Sequence, residues 1–206
     1  MGGRAGLAIC HPPRLHPHDR GGRRLDVVDF HPAYHRLMEV SFAAGLHASV
    51  WDHLGKGDVA ARPAAHVARA GAFYMAAQME AGHCCPVTMT SAAVATLVHE
   101  PVLAREWLPK ILSRDSDPSF APPGAKRSLS VGMGMTEKQG GTDVRANTSE
   151  ATATGNGGPG AEYRIVGHKW FLSAPMSDAF LVLAQAPGRL TCFLMPRFLP
   201  DGSVNP

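Results

Sequence analysis

The sequence predicts an α+β protein in which an N-terminal helical domain precedes an antiparallel β-barrel or sandwich. Three observations lead to this prediction. Apolar residues recur with the helical period up to residue 112, the period shortens after residue 127, and a segment rich in Pro, Ser and Asp separates the two regions. We therefore expect a helical domain over residues 25–112, a linker over residues 113–127 and a β domain over residues 128–206.

Four helices are expected in the helical domain. The first begins near Pro32, which suits the first turn of a helix, and the second runs from about Arg62 to Glu80. The third covers Thr88 to His99, and the fourth opens at Pro101. The apolar faces predicted to be buried are Tyr34, Leu37, Met38, Ser41, Phe42, Gly45 and Leu46 in the first helix and Ala64, Val67, Ala68, Gly71, Ala72, Met75 and Met79 in the second.

Five strands are expected in the β domain. The glycine-rich run GNGGPG, residues 155–160, separates the second and third of them and is a hairpin signal. The expected strands are Ser128 to Gly134, Thr148 to Thr154, Tyr163 to Leu172, Ala179 to Gln185 and Leu190 to Met195.

Composition narrows the classes of function. The net charge of +3 is too small to argue for a nucleic-acid-binding domain. The four cysteines show no metal-binding or redox spacing, and His31 and His35 lie four residues apart without a third ligand, so we predict no metal. No apolar run reaches the ~20 residues of a membrane helix, so no membrane partner is expected. Reduced thiols favour a cytoplasmic location, with a mitochondrial one left open for a eukaryotic source.

The two ends of the sequence are unusual. Residues 1–24 are rich in Arg, His and Pro, and the prolines and glycines prevent the amphipathic helix of a transit peptide, so we expect a disordered or non-native tail. At the other end, Pro200-Asp201-Gly202 predicts a turn with a strand expected after it. We therefore expect the sequence to be part of a longer one.

The stretch GMGMTEKQGGTDV, residues 132–144, carries the first chemical signal. Gly140 and Gly141 free the backbone and leave N–H groups unshielded, and Thr136 and Thr142 add hydroxyl donors. The stretch suits a phosphate or a polar ring edge, although it is neither a Walker loop nor a Rossmann loop. Taken alone, an ordinary turn at the end of a strand is the alternative.

The stretch GHKWFLSAP, residues 167–175, carries the second signal. On a strand, Trp170 and Phe171 would face opposite sides, and Ser173 would lie on the same side as Phe171. An aromatic ring and a hydroxyl so placed suit a flat heterocycle. Taken alone, two core aromatics are the alternative.

Together, MTEKQGGTDV and GHKWFLS resemble the flavin-binding signature of the acyl-CoA dehydrogenase family. Five stretches resemble more closely the alkylation-response, AidB-like branch of that family: GMGMTEKQGG, VGHKWF, CFLMPRFLPDG, RRLDVVDFHPAYH and CPVTMT. The resemblance covers roughly residues 22–206. It implies a helical N-terminal domain, a β-barrel middle domain, a C-terminal helical domain that this sequence lacks, FAD as cofactor and an acyl-CoA substrate.

The resemblance also assigns site residues. Thr136 would touch the pyrimidine edge of the flavin, Phe171 would pack on its rings, and Ser173 would donate to its N5/O4 edge. Met133 stands where the family commonly has an aromatic residue, and Ala174-Pro175 replaces the usual Asn-Gly. Both departures concern the expected substrate pocket more than the flavin site. The cofactor residues are Met133, Met135, Thr136, Gly141, Thr142, Phe171 and Ser173, and Thr142 and Ser173 are also assigned to the substrate.

The implied activity is α,β-dehydrogenation of an acyl-CoA thioester. The family's catalytic base is a Glu of the C-terminal domain, so no catalytic residue is expected in this sequence, and Glu137 is given a structural role. We expect weak or no FAD binding, no activity of this chain alone, and a homotetramer for the intact protein. The alternatives are a DNA-binding, alkylation-protection protein of the same branch and a fragment without function.

Overall fold

The computed structural model describes residue 6, residues 10–54 and residues 62–205. A β hairpin comes first, four α-helices follow, and a mixed β-sheet completes this part of the chain, which confirms the α+β class. The helices are α1 (Pro32–Ala43), α2 (Arg62–Met79), α3 (Cys84–Leu97) and α4 (Pro101–Ile111). The strands are β1 (Arg14–His18), β2 (Arg24–Asp29), β3 (Val131–Gly134), β4 (Glu150–Ala153), β5 (Tyr163–Val166), β6 (Ala179–Ala186) and β7 (Arg189–Pro196).

The β1–β2 hairpin corrects the prediction of a disordered N-terminal tail over residues 14–24. The two strands pair antiparallel, with Arg14 opposite Asp29. Asp19 closes the turn, because its Oδ1 accepts hydrogen bonds from the backbone N–H groups of Gly21 at 2.8 Å and Arg23 at 2.9 Å. The prediction rested on the Pro and Arg content of the segment and did not take account of this turn, which the Asp19 side chain stabilises.

Local capping explains where α1 and α4 begin. Pro32 and Pro101 both occupy first-turn positions, as predicted, and the Glu100 carboxylate accepts a hydrogen bond from the Val102 N–H. Helix α3 begins four residues before the predicted Thr88. Its start places Pro86 in the first turn, where the absent N–H group costs no helical hydrogen bond.

Helix α2 turns to the core a face shifted by one residue from the predicted one, although the predicted Met79 does pack against the core. Val67 and Met75 were expected to be buried, but they are 74% and 63% exposed. The face that packs inward contains Arg69, Phe73 and Ala76. The Arg69 guanidinium donates to the Leu46 carbonyl oxygen at 2.6 Å and lies over the Phe73 ring. A long cationic side chain that packs through its stem is not visible in an apolar pattern.

The sheet is mixed, which corrects the prediction of antiparallel pairing throughout. Strand β6 pairs antiparallel with β7 along one edge and parallel with β3 on the other, where it also meets β4 at Gln185 and Glu150. Strands β4 and β5 form the hairpin that GNGGPG predicts. Within the described residues these five strands form an open sheet, not a closed barrel.

A shared core joins the helical and β regions. The Val131 N–H donates to the buried Thr90 hydroxyl at 3.0 Å, which ties β3 directly to α3. None of the helices that the structure describes is long and apolar enough to cross a membrane. The buried residues of the core are Ala93, Val94, Leu97, Trp107 and Ile111 from the helices and Leu129, Val131, Ala179 and Leu181 from the β region.

Candidate functional site

The two stretches with chemical signals lie side by side. The loop segment (residues 132–144) and the aromatic segment (residues 167–175) are joined by a hydrogen bond from the Trp170 N–H to the Thr136 carbonyl oxygen, at 2.9 Å. The Lys169 ammonium adds a second link, because its Nζ donates to Glu137 Oε1 at 3.0 Å. Residues more than thirty positions apart in sequence therefore form one surface.

The aromatic segment is a loop, which corrects the prediction of a strand from Tyr163 to Leu172. Strand β5 ends at Val166, and Gly167 passes so close to Ser149 that an added Cβ would lie 2.2 Å from its hydroxyl oxygen. Only a glycine fits this approach. Phe171 and Ser173 therefore do not share one side of a strand.

Glu137 is the anchor of both segments, and its carboxylate is 2% exposed. Burial favours the protonated acid, but hydrogen bonds from Ser149, Thr148 and Gln139 outweigh it and hold the pKa of Glu137 well below its usual value. The carboxylate stays ionised. Besides Lys169, five donors converge on it: the Thr148 N–H and hydroxyl and the Gln139 amide on Oε2, and the Ser149 N–H and hydroxyl on Oε1, at 2.6–3.0 Å.

The turn beside this cage presents a hydroxyl and bare backbone. Glu137 and Gly140 exchange backbone hydrogen bonds, and Gly140 has a φ of 146°, which a residue with a side chain rarely adopts. A Cβ on Gly141 would lie 2.9 Å from Thr136 Oγ1. The glycine therefore leaves room for the threonine hydroxyl at the turn.

The aromatic segment displays its rings to solvent. Phe171 is 80% exposed and has a φ of 57°, a left-handed conformation that costs a bulky residue free energy. Trp170 is partly exposed and meets Phe171 edge-on, with ring centroids 5.7 Å apart. The alternative that both aromatics are core residues is therefore wrong, because Trp170 is 40% exposed as well. An exposed ring in a strained backbone is a candidate stacking surface.

The structure places the predicted cofactor residues in two groups. Met133 and Met135 are partly buried against the shared core, and Thr136 is partly buried next to the turn. A Cβ on Gly132 would lie 3.2 Å from the Ser173 carbonyl oxygen, so the aromatic segment also reaches β3. The remaining members, Gly141, Thr142, Phe171 and Ser173, are exposed.

Sequence reasoning missed the residues that hold this surface in place. Lys169 stands beside the aromatic pair and was not assigned a role, and neither were Thr148 and Ser149. Asn147 was also missed, although its side-chain amide donates to the Met135 carbonyl oxygen at 2.9 Å. The sequence shows these residues only as a lysine and a Thr-Ser pair. Their closeness to a buried acid arises only in the folded chain.

Two protein families match different parts of the chain. Residues 1–118 match the AidB N-terminal domain, and residues 132–206 match the acyl-CoA dehydrogenase middle domain. AidB of Escherichia coli (strain K12) is 49% identical over 200 residues, which are 97% of this chain and 35% of that protein.

Solved structures of related proteins have the same fold. The apo form of Bd2924 superposes with a TM-score of 0.80 at 29% identity and covers 99% of this chain and 39% of its own. Caenorhabditis elegans ACDH-11 in complex with C11-CoA superposes with a TM-score of 0.78 at 26% identity. The match covers 99% of this chain and 34% of the ACDH-11 chain. An acyl-CoA dehydrogenase from Bacillus anthracis complexed with FAD, 17% identical with a TM-score of 0.55 over 85% of this chain and 27% of that one, shares the fold. The chain spans about a third of the length of AidB and ACDH-11.

Proposed function

Because the chain belongs to the AidB branch of the acyl-CoA dehydrogenase family, we propose that its loop and aromatic segments form one wall of an FAD site. The observation that carries this proposal is the joining of the two segments through Trp170 and Thr136 and through Lys169 and Glu137. This joint sets an exposed aromatic ring beside hydroxyl groups and bare glycine backbone. A flat, polar-edged cofactor with a pyrophosphate needs these three kinds of group.

Each exposed group has a proposed task. Phe171 stacks on the flavin rings, and Ser173 donates a hydrogen bond to the N5/O4 edge. Thr136 binds the pyrimidine edge, and Gly141 and Thr142 present a backbone N–H and a hydroxyl to the pyrophosphate or the rim of the acyl-CoA site. Met133 and Met135 support the wall from the core side, where they already pack.

The proposed reaction is α,β-dehydrogenation of an acyl-CoA thioester. FAD, when bound, supplies the acceptor for the hydride from the β-carbon of the substrate. The substrate proposal is supported by ACDH-11, a relative that was solved in complex with C11-CoA.

Glu137 is not a candidate for the base that removes the α-proton. Its two oxygens already accept six hydrogen bonds when Lys169 is included. Its pKa is held well below the usual value, so the carboxylate has little tendency to take up a proton. Its task is to fix the geometry of Thr136 and of the aromatic segment. In this proposal, residues of this chain bind and orient, and proton abstraction belongs to a group other than Glu137.

Titration of the purified chain with FAD, followed by flavin fluorescence polarisation, tests the proposal. We expect weak, saturable binding, because one wall of a site leaves much of the cofactor in water. Phe171→Ala should abolish saturation. Tyr74→Ala, which removes another strongly exposed aromatic ring, from α2, is the matched control and should bind as the original chain does. Equal binding by the Phe171→Ala variant would contradict the proposed stacking.

A further inference from the structure

A second site candidate is a cavity of about 380 Å³ on the side of the molecule where the β1–β2 hairpin packs. Strand β2, helix α1, the linker before β3 and the loop before β6 line it. None of the seven residues assigned to FAD belongs to this lining. The volume lies at the lower end of the range for small-molecule sites in proteins, which is about 300–1,000 Å³.

One wall of the cavity is apolar and aromatic. Phe30 and Tyr34 stack with their ring centroids 4.3 Å apart, and Met38 and Phe42 continue this wall along α1. Met176 closes the opposite side, where its sulfur accepts a hydrogen bond from the Val28 N–H at 3.1 Å. Such a wall favours a hydrocarbon chain or ring over water.

The opposite wall of the cavity contains an unsatisfied polar group. Ser177 is 3% exposed, and its hydroxyl oxygen has no hydrogen-bond partner among the residues that the structure describes. Buried hydroxyl groups are nearly always paired, because an unpaired one loses its hydration without compensation. Ser177 belongs to the lining of the cavity, and rotation of its side chain brings the enclosed hydroxyl within reach of an oxygen atom of a guest.

The charges around the cavity already have partners. Lys126 Nζ donates to Asp178 Oδ1 at 2.6 Å and to the Ser119 carbonyl oxygen at 2.8 Å. Asp117 accepts hydrogen bonds from the Ser119 N–H and hydroxyl and from the Arg127 N–H. A charged guest would lose its hydration without gaining a free counter-ion at the buried end.

The other titratable groups at the cavity do not change this balance. Burial lowers the pKa of His35, against the opposing effect of the nearby Asp29 carboxylate, and so favours the neutral imidazole. Asp29 is exposed, and so is His16. The charges at the buried end are therefore paired with one another.

We propose that this cavity binds a neutral amphipathic small molecule whose hydroxyl or carbonyl oxygen hydrogen-bonds to Ser177. The apolar body of the molecule lies against Phe30, Tyr34 and Met38. This site is separate from the FAD wall, and its occupation does not require FAD.

NMR of the chain labelled with ¹³C-methyl methionine tests this proposal with 1-octanol as the probe. The signals of Met38 and Met176 should shift and saturate, and the signal of the exposed Met75 on α2 should not. Octanoate and octylammonium have the same chain length as octanol and carry opposite charges. Each should bind at least about tenfold more weakly than octanol.

Variants assign the polar contact. Ser177→Ala should weaken octanol binding about fivefold, and Ser203→Ala, an exposed serine outside the cavity, should leave it unchanged. Val27→Phe, which fills the cavity from its rim, should abolish the shifts of Met38 and Met176 while the folded spectrum persists. Absence of any saturable shift with octanol would overturn the proposal, as would equal shifts at Met75, equal binding of the three probes or unchanged affinity in the Ser177→Ala variant.

Discussion

Two buried pairs of a lysine and an acid differ in what controls the charge of the acid. Glu137 pairs with Lys169 at 3.0 Å, and Asp178 pairs with Lys126 at the shorter distance of 2.6 Å. The pKa of Glu137 is nevertheless held well below its usual value, whereas burial raises the pKa of Asp178 even though Lys126 opposes it. The closer ion pair therefore belongs to the acid that is less firmly ionised.

Hydrogen bonds explain the difference. Glu137 accepts five bonds from backbone and uncharged side-chain donors, and Asp178 accepts only two such bonds, from the Ser130 N–H at 2.8 Å and its hydroxyl at 3.4 Å. Fixed donors replace the lost hydration of a buried carboxylate, and a single cation does so incompletely. The comparison predicts that Glu137 depends on its cage and Asp178 on its lysine.

The largest expected effect is that of Glu137→Gln. In the variant, the N–H groups of the amide would face hydrogen-bond donors that now donate to a carboxylate oxygen. Lys169 would also lose its counter-ion. We expect a loss of about 4 kcal/mol of unfolding free energy, measured by urea unfolding. Glu150→Gln, which changes an exposed glutamate on β4, is the matched control and should be neutral within error. A loss as small as the control's would show that the cage does not stabilise the fold.

The two lysines should differ in their effect. Lys126→Met leaves Asp178 buried with two remaining donors and should cost about 3 kcal/mol. Lys169→Met leaves Glu137 with its five other hydrogen bonds and should cost about 1 kcal/mol. Urea unfolding of both variants under one condition measures the difference. The reverse order would mean that the ion pairs, rather than the fixed donors, determine stability at both sites.

A buried base extends the comparison to pH. The Nε2–H group of His47 donates to the Ser113 carbonyl oxygen at 2.9 Å, Nδ1 has no partner among the residues that the structure describes, and burial lowers the pKa of His47 to about 4. The unfolded chain binds this proton more readily, so stability should fall as the pH decreases from about 6.5 towards 4. The expected loss from pH 7 to pH 5 is about 2 kcal/mol. His47→Gln should flatten this slope, and His66→Gln, an exposed position on α2, should retain it.

Local signals in the sequence predict much of the fold. Pro32 and Pro101 mark helix starts, GNGGPG marks the β4–β5 hairpin, and the apolar runs give β6 and β7. What local signals miss depends on distant partners. The parallel pairing of β3 with β6, the inward face of α2 and the loop after Val166 are each determined by contacts with residues far along the chain.

The candidate site follows the same division. The two stretches were recognised by composition, and their adjacency follows from the resemblance that they carry together. The means of attachment was not visible, because Lys169, Thr148 and Ser149 are ordinary polar residues until folding buries Glu137. The exposed, strained backbone of Phe171 also has no sequence signature.

The spacing of the Glu137 cage has a consequence for the order of folding. Its donors lie 2, 11, 12 and 32 residues away, and Lys126 and Asp178 are 52 residues apart. Short loops cost less entropy to close, so the cage should form with the β4–β5 hairpin and before the linker docks on β6. Refolding kinetics would then give a higher φ-value for Ser149→Ala than for Lys126→Met, and the reverse order would exclude this sequence of events.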